Sequence, residues 1–191
     1  IPDVPIYVDS PLSGNATEIF KMHPECYDRE TYDLFLANQQ NPFGFGRLRY
    51  VTSTEESKSL NFITDPCLII SASGMCENGR IVHHLYNNIS NPKNTILVVG
   101  YMADGTLGRK IVDGAKNIHI FGQDIPVRAE IRVMDSFSGH ADRDELDASI
   151  APLGNLKKIF VVHGEESQSE AFAERLRVMK NIPVETPKVG N

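Results

Sequence analysis

The feature that most limits the fold is a repeated order of apolar run, short turn and helical segment. The run Cys-Leu-Ile-Ile at 67–70 has no polar interruption and leads through a turn of small residues into a helical pattern ending near Asn88. A second run, at 95–99, is followed by Gly100 and a short helical pattern. Such runs are typical of strands buried on both faces, so the pattern predicts α/β layers around a largely parallel sheet flanked by helices.

The same alternation extends along the rest of the chain. Residues 118–133 alternate apolar and polar side chains around Gly122 and predict a β-hairpin. Other short β-rich runs predict strands at 5–9, 48–52, 158–162 and 183–185. Helical spacing of apolar residues predicts helices at 13–26, 28–38, 77–88, 107–112, 142–150 and 167–179, with a further helix starting at Thr54.

The charge balance excludes a broadly basic nucleic-acid-binding surface. The 191 residues carry a formal net charge of −6, and no third of the chain is net positive, so a polyanion would need a local pocket. No apolar run approaches the roughly 20 residues of a membrane span, and we expect no membrane partner. Three cysteines without a Cys-x-x-Cys pair fit neither a disulfide framework nor a thiolate zinc site, which predicts a reducing, cytoplasmic location.

The turn at 71–80 is the first candidate site. Ser73 and Gly74 are small residues at the mouth of a helix, where backbone N–H groups and the helix dipole can hold a phosphate. The turn has neither the Gly-Lys-Ser/Thr of a Walker A loop nor the Gly-x-Gly-x-x-Gly of a dinucleotide site. A tight turn without a ligand explains it equally well, and Arg80 would favour an anion if it points at the same loop.

The second candidate is His140, within the segment Ser136–Asp142 between a strand and a helix. Histidine changes charge near neutral pH, so a cleft-facing His140 could donate a proton to a leaving group. In the simpler alternative, Asp142 caps the helix and His140 has no chemical role.

The third candidate, His163, directly follows the apolar run at 159–162. Sites in α/β sheets gather at the carboxyl ends of strands, and imidazole is a common zinc ligand. The alternative is a strand-end histidine bonded to the backbone. Because His140 and His163 follow strands in equivalent positions, we expect them to lie near each other on one rim of the fold.

Other polar residues give weaker signals. His83 and His84 point about 100° apart on a helix, so one metal cannot easily take both. Helix packing is the simpler explanation, with His84 the better candidate for a role. Ser73 does not lie in the Gly-x-Ser-x-Gly motif of a serine hydrolase.

Six segments together resemble the β-CASP branch of the metallo-β-lactamase superfamily, a group of RNA-processing nucleases. In the family's order they are Pro5–Ser13, Asn41–Phe43, Ser71–Leu85, Val99–Ile111, Ser136–Leu146 and Val161–Glu166. Each motif is modest alone, and the specificity comes from their combination. The resemblance implies a β-CASP domain over 1–135 and the C-terminal strand–helix part of a metallo-β-lactamase domain over 136–191.

The resemblance also implies roles for the two histidines. His140 corresponds to the family histidine proposed as a proton donor near the scissile phosphate, with Ser138 and Gly139 of the same motif beside the substrate. His163 corresponds to a histidine that completes one of two zinc sites. A histidine at this position, where DNA-processing relatives tend to have valine, favours RNA.

The same resemblance places Ser73 and Gly74 in the family's substrate groove, where with Arg80 they would contact RNA phosphates. The family's principal metal motif, His-x-His-x-Asp-His, is absent from the 191 residues, and the chain opens at Ile1 rather than methionine. We therefore expect a truncated fragment. Two zinc ions are implied for the full-length enzyme, with zinc absent or incomplete in the fragment and no cleavage by the fragment alone.

The sequence leads to one main function and two alternatives. The main one is zinc-dependent hydrolysis of RNA phosphodiester bonds in RNA processing or decay. A non-catalytic RNA-binding or scaffold subunit of the same family is the first alternative, and an unrelated nucleotide-binding α/β domain is the second. Endonuclease or exonuclease preference, RNA sequence specificity and oligomeric state, including a homodimer, stay open.

Overall fold

A computed structural model of the chain describes residues 4–38, 46–134, 136 and 139–188, and the side chains of these residues except 34–38. The chain divides into two compact units, Ile1–Ser136 and Phe137–Asn191. The predicted Asn41–Phe43 motif lies outside the described residues. Among the described helices, none combines the length and apolar character needed to cross a membrane.

Parallel strands joined by helices form the first part of the first unit. The described elements, in chain order, are β1 (Ile6–Asp9), α1 (Pro11–Met22), a 3₁₀ turn (Pro24–Cys26), α2 (Arg29–Asn38), β2 (Leu48–Tyr50), α3 (Thr54–Leu60) and β3 (Leu68–Ser71). β1 lies between β2 and β3 and pairs in parallel with both. Each pair is connected through helices, as parallel pairing requires, which confirms the predicted α/β fold with a largely parallel sheet.

The second part of this unit adds a parallel pair and a hairpin. Its elements are α4 (Arg80–Asn88), β4 (Thr95–Val98), α5 (Leu107–Val112), β5 (Asn117–Ile120), β6 (Gln123–Pro126) and β7 (Glu130–Val133). β5 and β6 form an antiparallel hairpin. Its turn residues Phe121 and Gly122 have φ angles of 50° and 77°, as a type I′ turn requires.

The hairpin predicted over 118–133 is wrong in its second half. β7 pairs in parallel with β4, with Ile131 opposite Ile96, and does not continue the antiparallel hairpin. Alternation of apolar and polar residues identifies a half-buried strand but carries no information about its partner. The hairpin ends at Pro126, which has no N–H to extend the ladder.

The main core of the first unit packs around α4. Leu85 and Ile89, one helical turn apart, are almost fully buried. They share an apolar cluster with Val98 of β4, Ile111 of α5 and Ile118 of β5. Burial of this helix face fixes the start of α4, and with it the preceding turn, against the strands.

One expectation about burial is wrong. Continuous apolar runs predict strands covered on both faces, but Leu68, Ile70 and Leu97 are 42%, 50% and 47% exposed. Alternate residues such as Val98 do pack into the core. One face of these strands is therefore covered within the described structure, and the other is apolar and exposed.

The second unit is a smaller strand–helix–strand layer. Its described elements are α6 (Arg143–Ile150), β8 (Ile159–Phe160), α7 (Glu166–Lys180) and β9 (Val184–Glu185). β8 and β9 pair in parallel, and α7 connects them. Ala173 and Leu176 of α7 are fully buried against Val184, so α7 is the element that covers this pair.

Candidate functional site

The turn between β3 and α4 is closed by backbone hydrogen bonds and a glycine. The N–H and hydroxyl of Ser73 both donate to the carbonyl of Asn78 at 3.2 Å, and Ile81 N–H donates to the carbonyl of Ala72 at 3.1 Å. Gly79 has a φ of +81°, and a Cβ there would lie 2.7 Å from the Ala72 oxygen. Position 79 therefore needs glycine to bring the start of α4 against the turn.

Alanine at Gly79 is expected to lower the free energy of unfolding by at least about 2–3 kcal/mol, because it combines left-handed backbone strain with a backbone clash. Gly114 is a matched control, since its φ is +83° and no atom lies within 4 Å of an added Cβ. Gly114→Ala should cost about 1 kcal/mol from strain alone. Chemical denaturation of both variants measures the difference, and equal losses would contradict the clash.

A cleft of about 290 Å³ lies between this turn and the start of α1. It is lined by residues 9–12, 72–73 and 78–80. Ser10 caps α1 by accepting from Ser13 N–H at 3.3 Å, and Gly79 occupies the cap position of α4. The predicted substrate-binding residues Ser73 and Arg80 thus share one cleft bordered by two helix N-termini, whereas Gly74 belongs to the same turn but does not line it.

A buried carboxylate forms the floor of the cleft. The side chain of Asp9, at the end of β1, has no exposed surface. Its Oδ1 accepts from Arg80 Nη1 at 2.5 Å, and its Oδ2 lies 2.6 Å from both Ser57 Oγ and His84 Nε2. The hydroxyl of Ser71 donates to the Asp9 carbonyl at 3.1 Å. We call Asp9, Ser57, Arg80 and His84 the Asp9 cluster.

The environment of Asp9 lowers the pKa of its carboxyl. Burial raises the pKa, but hydrogen bonds with Ser57, His84 and Arg80, together with the positive charge of Arg80, outweigh burial. The pKa consequently lies below the ordinary value of 3.8. Asp9 is therefore ionised at neutral pH.

The structure fixes the guanidinium of Arg80 in place. Arg80 is among the residues that line the cleft, but its guanidinium donates to Asp9 and to the carbonyls of Val51 at 3.1 Å and Thr52 at 3.0 Å, not to the turn at 71–79. Sequence analysis did not identify Asp9 or Ser57, and it assigned His84 to helix packing. The available signal for Asp9 was a carboxylate at the end of an otherwise apolar strand.

The second unit positions His140 ahead of a capped helix. Asp142 Oδ1 accepts from the N–H groups of Asp144 and Glu145, both at 2.9 Å, and Glu145 accepts from Asp142 N–H at 3.0 Å. Asp142 therefore caps α6, as the alternative without a role for His140 predicted. His140 and Gly139 are nevertheless exposed, so the cap does not exclude a chemical role for His140. Ser138 lies outside the described residues.

His163 lies on the connection from β8 to α7 in an unusual backbone conformation. Its φ is +65°, in the left-handed region that costs a non-glycine residue about 1–2 kcal/mol. The side chain is exposed, and Glu165, two residues later, is the N-cap of α7. Strained residues of this kind occur at functional sites, which keeps His163 a candidate. Its closeness to His140 stays a prediction.

A zinc ion takes about four ligands. Across residues 4–38, 46–134, 136 and 139–188, no group of three or more His, Cys, Asp or Glu side chains is arranged to hold a metal. The described residues therefore do not fit a complete zinc site, and His163 is at most one ligand of it.

Two family models match the chain. A Beta-Casp domain model covers residues 1–111, including the cleft and the Asp9 cluster. A model described as a Zn-dependent metallo-hydrolase RNA specificity domain covers residues 124–187, including His140 and His163.

Curated relatives match almost the whole chain. It is 36% identical to a ribonuclease from Thermus thermophilus over 92% of its length, and 35% identical to an RNase J-like protein from Methanocaldococcus jannaschii over 98%. It is 32% identical to the transcription termination factor FttA from Methanosarcina mazei over its full length. The chain spans 40%, 42% and 30% of these relatives. With one family model covering more than half of its residues, the chain belongs to the β-CASP family.

Proposed function

We propose that the chain is the RNA-binding part of a zinc-dependent ribonuclease that hydrolyses phosphodiester bonds in RNA processing or decay. Residues 1–135 would form its β-CASP domain and residues 136–191 the C-terminal part of its metallo-β-lactamase domain. The names of the Thermus and Methanocaldococcus relatives and of the second family model support this assignment. We propose a cytoplasmic location as well.

The cleft is the observation that carries the proposal. The starts of two helices and Arg80 line one concave site. N–H groups at helix starts and a fixed guanidinium are the groups that bind phosphate oxygens, and they need no overall positive charge. Ser73 and Arg80, which line the cleft, are therefore proposed to bind the RNA backbone, and Gly74 is proposed with them because it belongs to the same turn.

Roles for the second unit follow the family motifs. We propose His140 as the group that donates a proton to the leaving oxygen, with Ser138 and Gly139 beside the substrate. His163 is proposed as one zinc ligand. When bound, zinc would supply an activated water and charge stabilisation for hydrolysis.

A charge placed in the turn tests RNA binding. A Cβ at Gly74 meets open space, so Gly74→Asp should fold normally and weaken binding of a short single-stranded RNA by about tenfold or more, because like charges in contact cost several kcal/mol. Gly154→Asp, also in open space but in the second unit, makes the same charge change and should leave affinity unaltered. Fluorescence anisotropy measures both, with DNA of the same sequence for comparison. Equal effects, or no RNA binding by the unmodified chain, would reject the proposal.

Metal content gives a separate prediction. We expect the chain purified alone to contain substoichiometric zinc or none, since the described residues do not build a metal site. Elemental analysis checks this. Two tightly bound zinc ions per chain would contradict the proposal that His163 is the chain's one zinc ligand and that the other ligands belong to another part of the enzyme.

A non-catalytic RNA-binding subunit is the second candidate. Several relatives are named for transcription termination, a function that RNA binding can serve. Zinc-supplied protein that binds RNA but leaves it intact would support this alternative. The same preparation in solution would show whether the protein is a homodimer.

A further inference from the structure

Both ring nitrogens of His84 face hydrogen-bond acceptors. Asn88 Nδ2 donates to the His84 carbonyl and to Asn61 Oδ1, both at 3.0 Å. The bond to a carbonyl requires the NH₂ group of Asn88, and the second hydrogen of that group requires the oxygen of Asn61. Asn61 therefore presents its oxygen to His84 Nδ1, 2.9 Å away, and Nδ1 carries a hydrogen.

Asp9 determines the state of the other ring nitrogen. His84 Nε2 lies 2.6 Å from Asp9 Oδ2, which also accepts from Ser57, while Oδ1 accepts from Arg80. An ionised carboxylate has no hydrogen to donate, so Nε2 is a donor too. The cluster then holds two positive charges, on Arg80 and His84, and one negative charge, on Asp9, which leaves a net charge of +1.

We infer that His84 is a buried imidazolium and a positioning residue for anion binding in the cleft. Its ring contacts the Asp9 carboxylate, which in turn accepts from the Arg80 guanidinium, and the extra charge would lie beneath a phosphate bound in the cleft. The inference rests on the proposed binding of RNA. A buried charge is screened by salt less than a surface charge, so one internal cation can attract RNA in a chain whose net charge is −6.

Nitrogen-15 NMR of the full chain at neutral pH tests the charge directly. We expect both ring nitrogens of His84 to show the signature of protonated imidazolium nitrogens, assigned through the residue's own backbone signals. One unprotonated ring nitrogen would overturn the inference. This measurement needs no variant and no RNA, so it stands even if the proposed function fails.

The positioning role is tested by RNA affinity. His84→Gln keeps an amide donor but removes the charge, and should weaken binding of a short single-stranded RNA roughly tenfold at low salt. His83→Gln is the control, since His83 is exposed and next in sequence. Unchanged affinity in a folded His84→Gln chain would make the cluster purely structural and overturn the role.

Wild-type chain supplies a second readout in case His84→Gln does not fold. Saturation with the same RNA should shift the side-chain signals of His84 and Arg80, while those of Arg175, in the second unit, stay unchanged. Absence of these shifts despite measurable RNA binding would overturn the positioning role. A wild-type chain that binds no RNA would reject the proposed function instead. That result differs from a failed test of the His84 charge and from a failed test of its positioning role.

Discussion

Asparagine at Asp9 is expected to lower the free energy of unfolding by about 3–5 kcal/mol, the usual effect of removing one partner of a buried ion pair. Asp9 is fully buried, and its partners Arg80 and His84 are only 19% and 7% exposed at their side chains. An amide in this place has one acceptor oxygen, and its NH₂ group would meet the donors that now face the second carboxylate oxygen. Denaturant unfolding followed by circular dichroism measures the loss.

Asp124→Asn is the matched control. Asp124 also pairs with a histidine, His119, at 2.9 Å, but the two side chains are 80% and 66% exposed. Exposed pairs of this kind contribute about 0–1 kcal/mol, so the control should differ little from wild type. A similar loss in both variants would show that burial does not decide the contribution of Asp9.

The pH dependence of unfolding gives an independent check on Asp9. Because the folded-state pKa of Asp9 lies below its ordinary value of 3.8, its contribution to stability is complete above 3.8 and is lost as the pH falls through the folded-state pKa. Wild-type stability should therefore fall more steeply in acid than that of Asp9→Asn. Parallel curves would contradict the lowered pKa.

Local signals predicted some of the helix starts of this fold. The helix predicted over 77–88 begins only at Arg80, after Gly79. The aspartate at 142 caps α6 within a few residues of its own position, so a sequence window contains the information needed. The same holds for the core face of α4, where Leu85 and Ile89 repeat at helical spacing.

The Asp9 cluster was missed because its partners are distant in sequence. Ser57, Arg80 and His84 lie 48, 71 and 75 residues from Asp9. A buried carboxylate is stable only when such partners converge, and convergence depends on the pairing of β1 with β3. Periodicity within single elements cannot give that pairing, which also explains the error at β7.

Substitution of His140 or His163 is expected to have the second large effect, a loss of RNA cleavage. In the proposed zinc-loaded ribonuclease, His140→Ala should slow RNA cleavage by roughly 10²–10⁴-fold, the range for losing one general acid, while zinc content stays unchanged. His163→Ala should lower zinc content and cleavage together. The two histidines lie in different settings, since His140 precedes the capped start of α6 and His163 lies on the left-handed connection after β8.

Three measurements on the same preparations separate these roles. Elemental analysis gives zinc content, single-turnover cleavage of RNA gives the chemical step, and DNA of the same sequence tests the substrate class. His119→Ala is the control, because His119 is an exposed histidine on the β5–β6 hairpin and should change none of them. A proton donor acts only when the bond breaks, whereas a metal ligand acts before substrate arrives, so the two variants must differ in zinc content. Equal zinc loss in both, or normal cleavage by His140→Ala, would show that the roles are assigned wrongly.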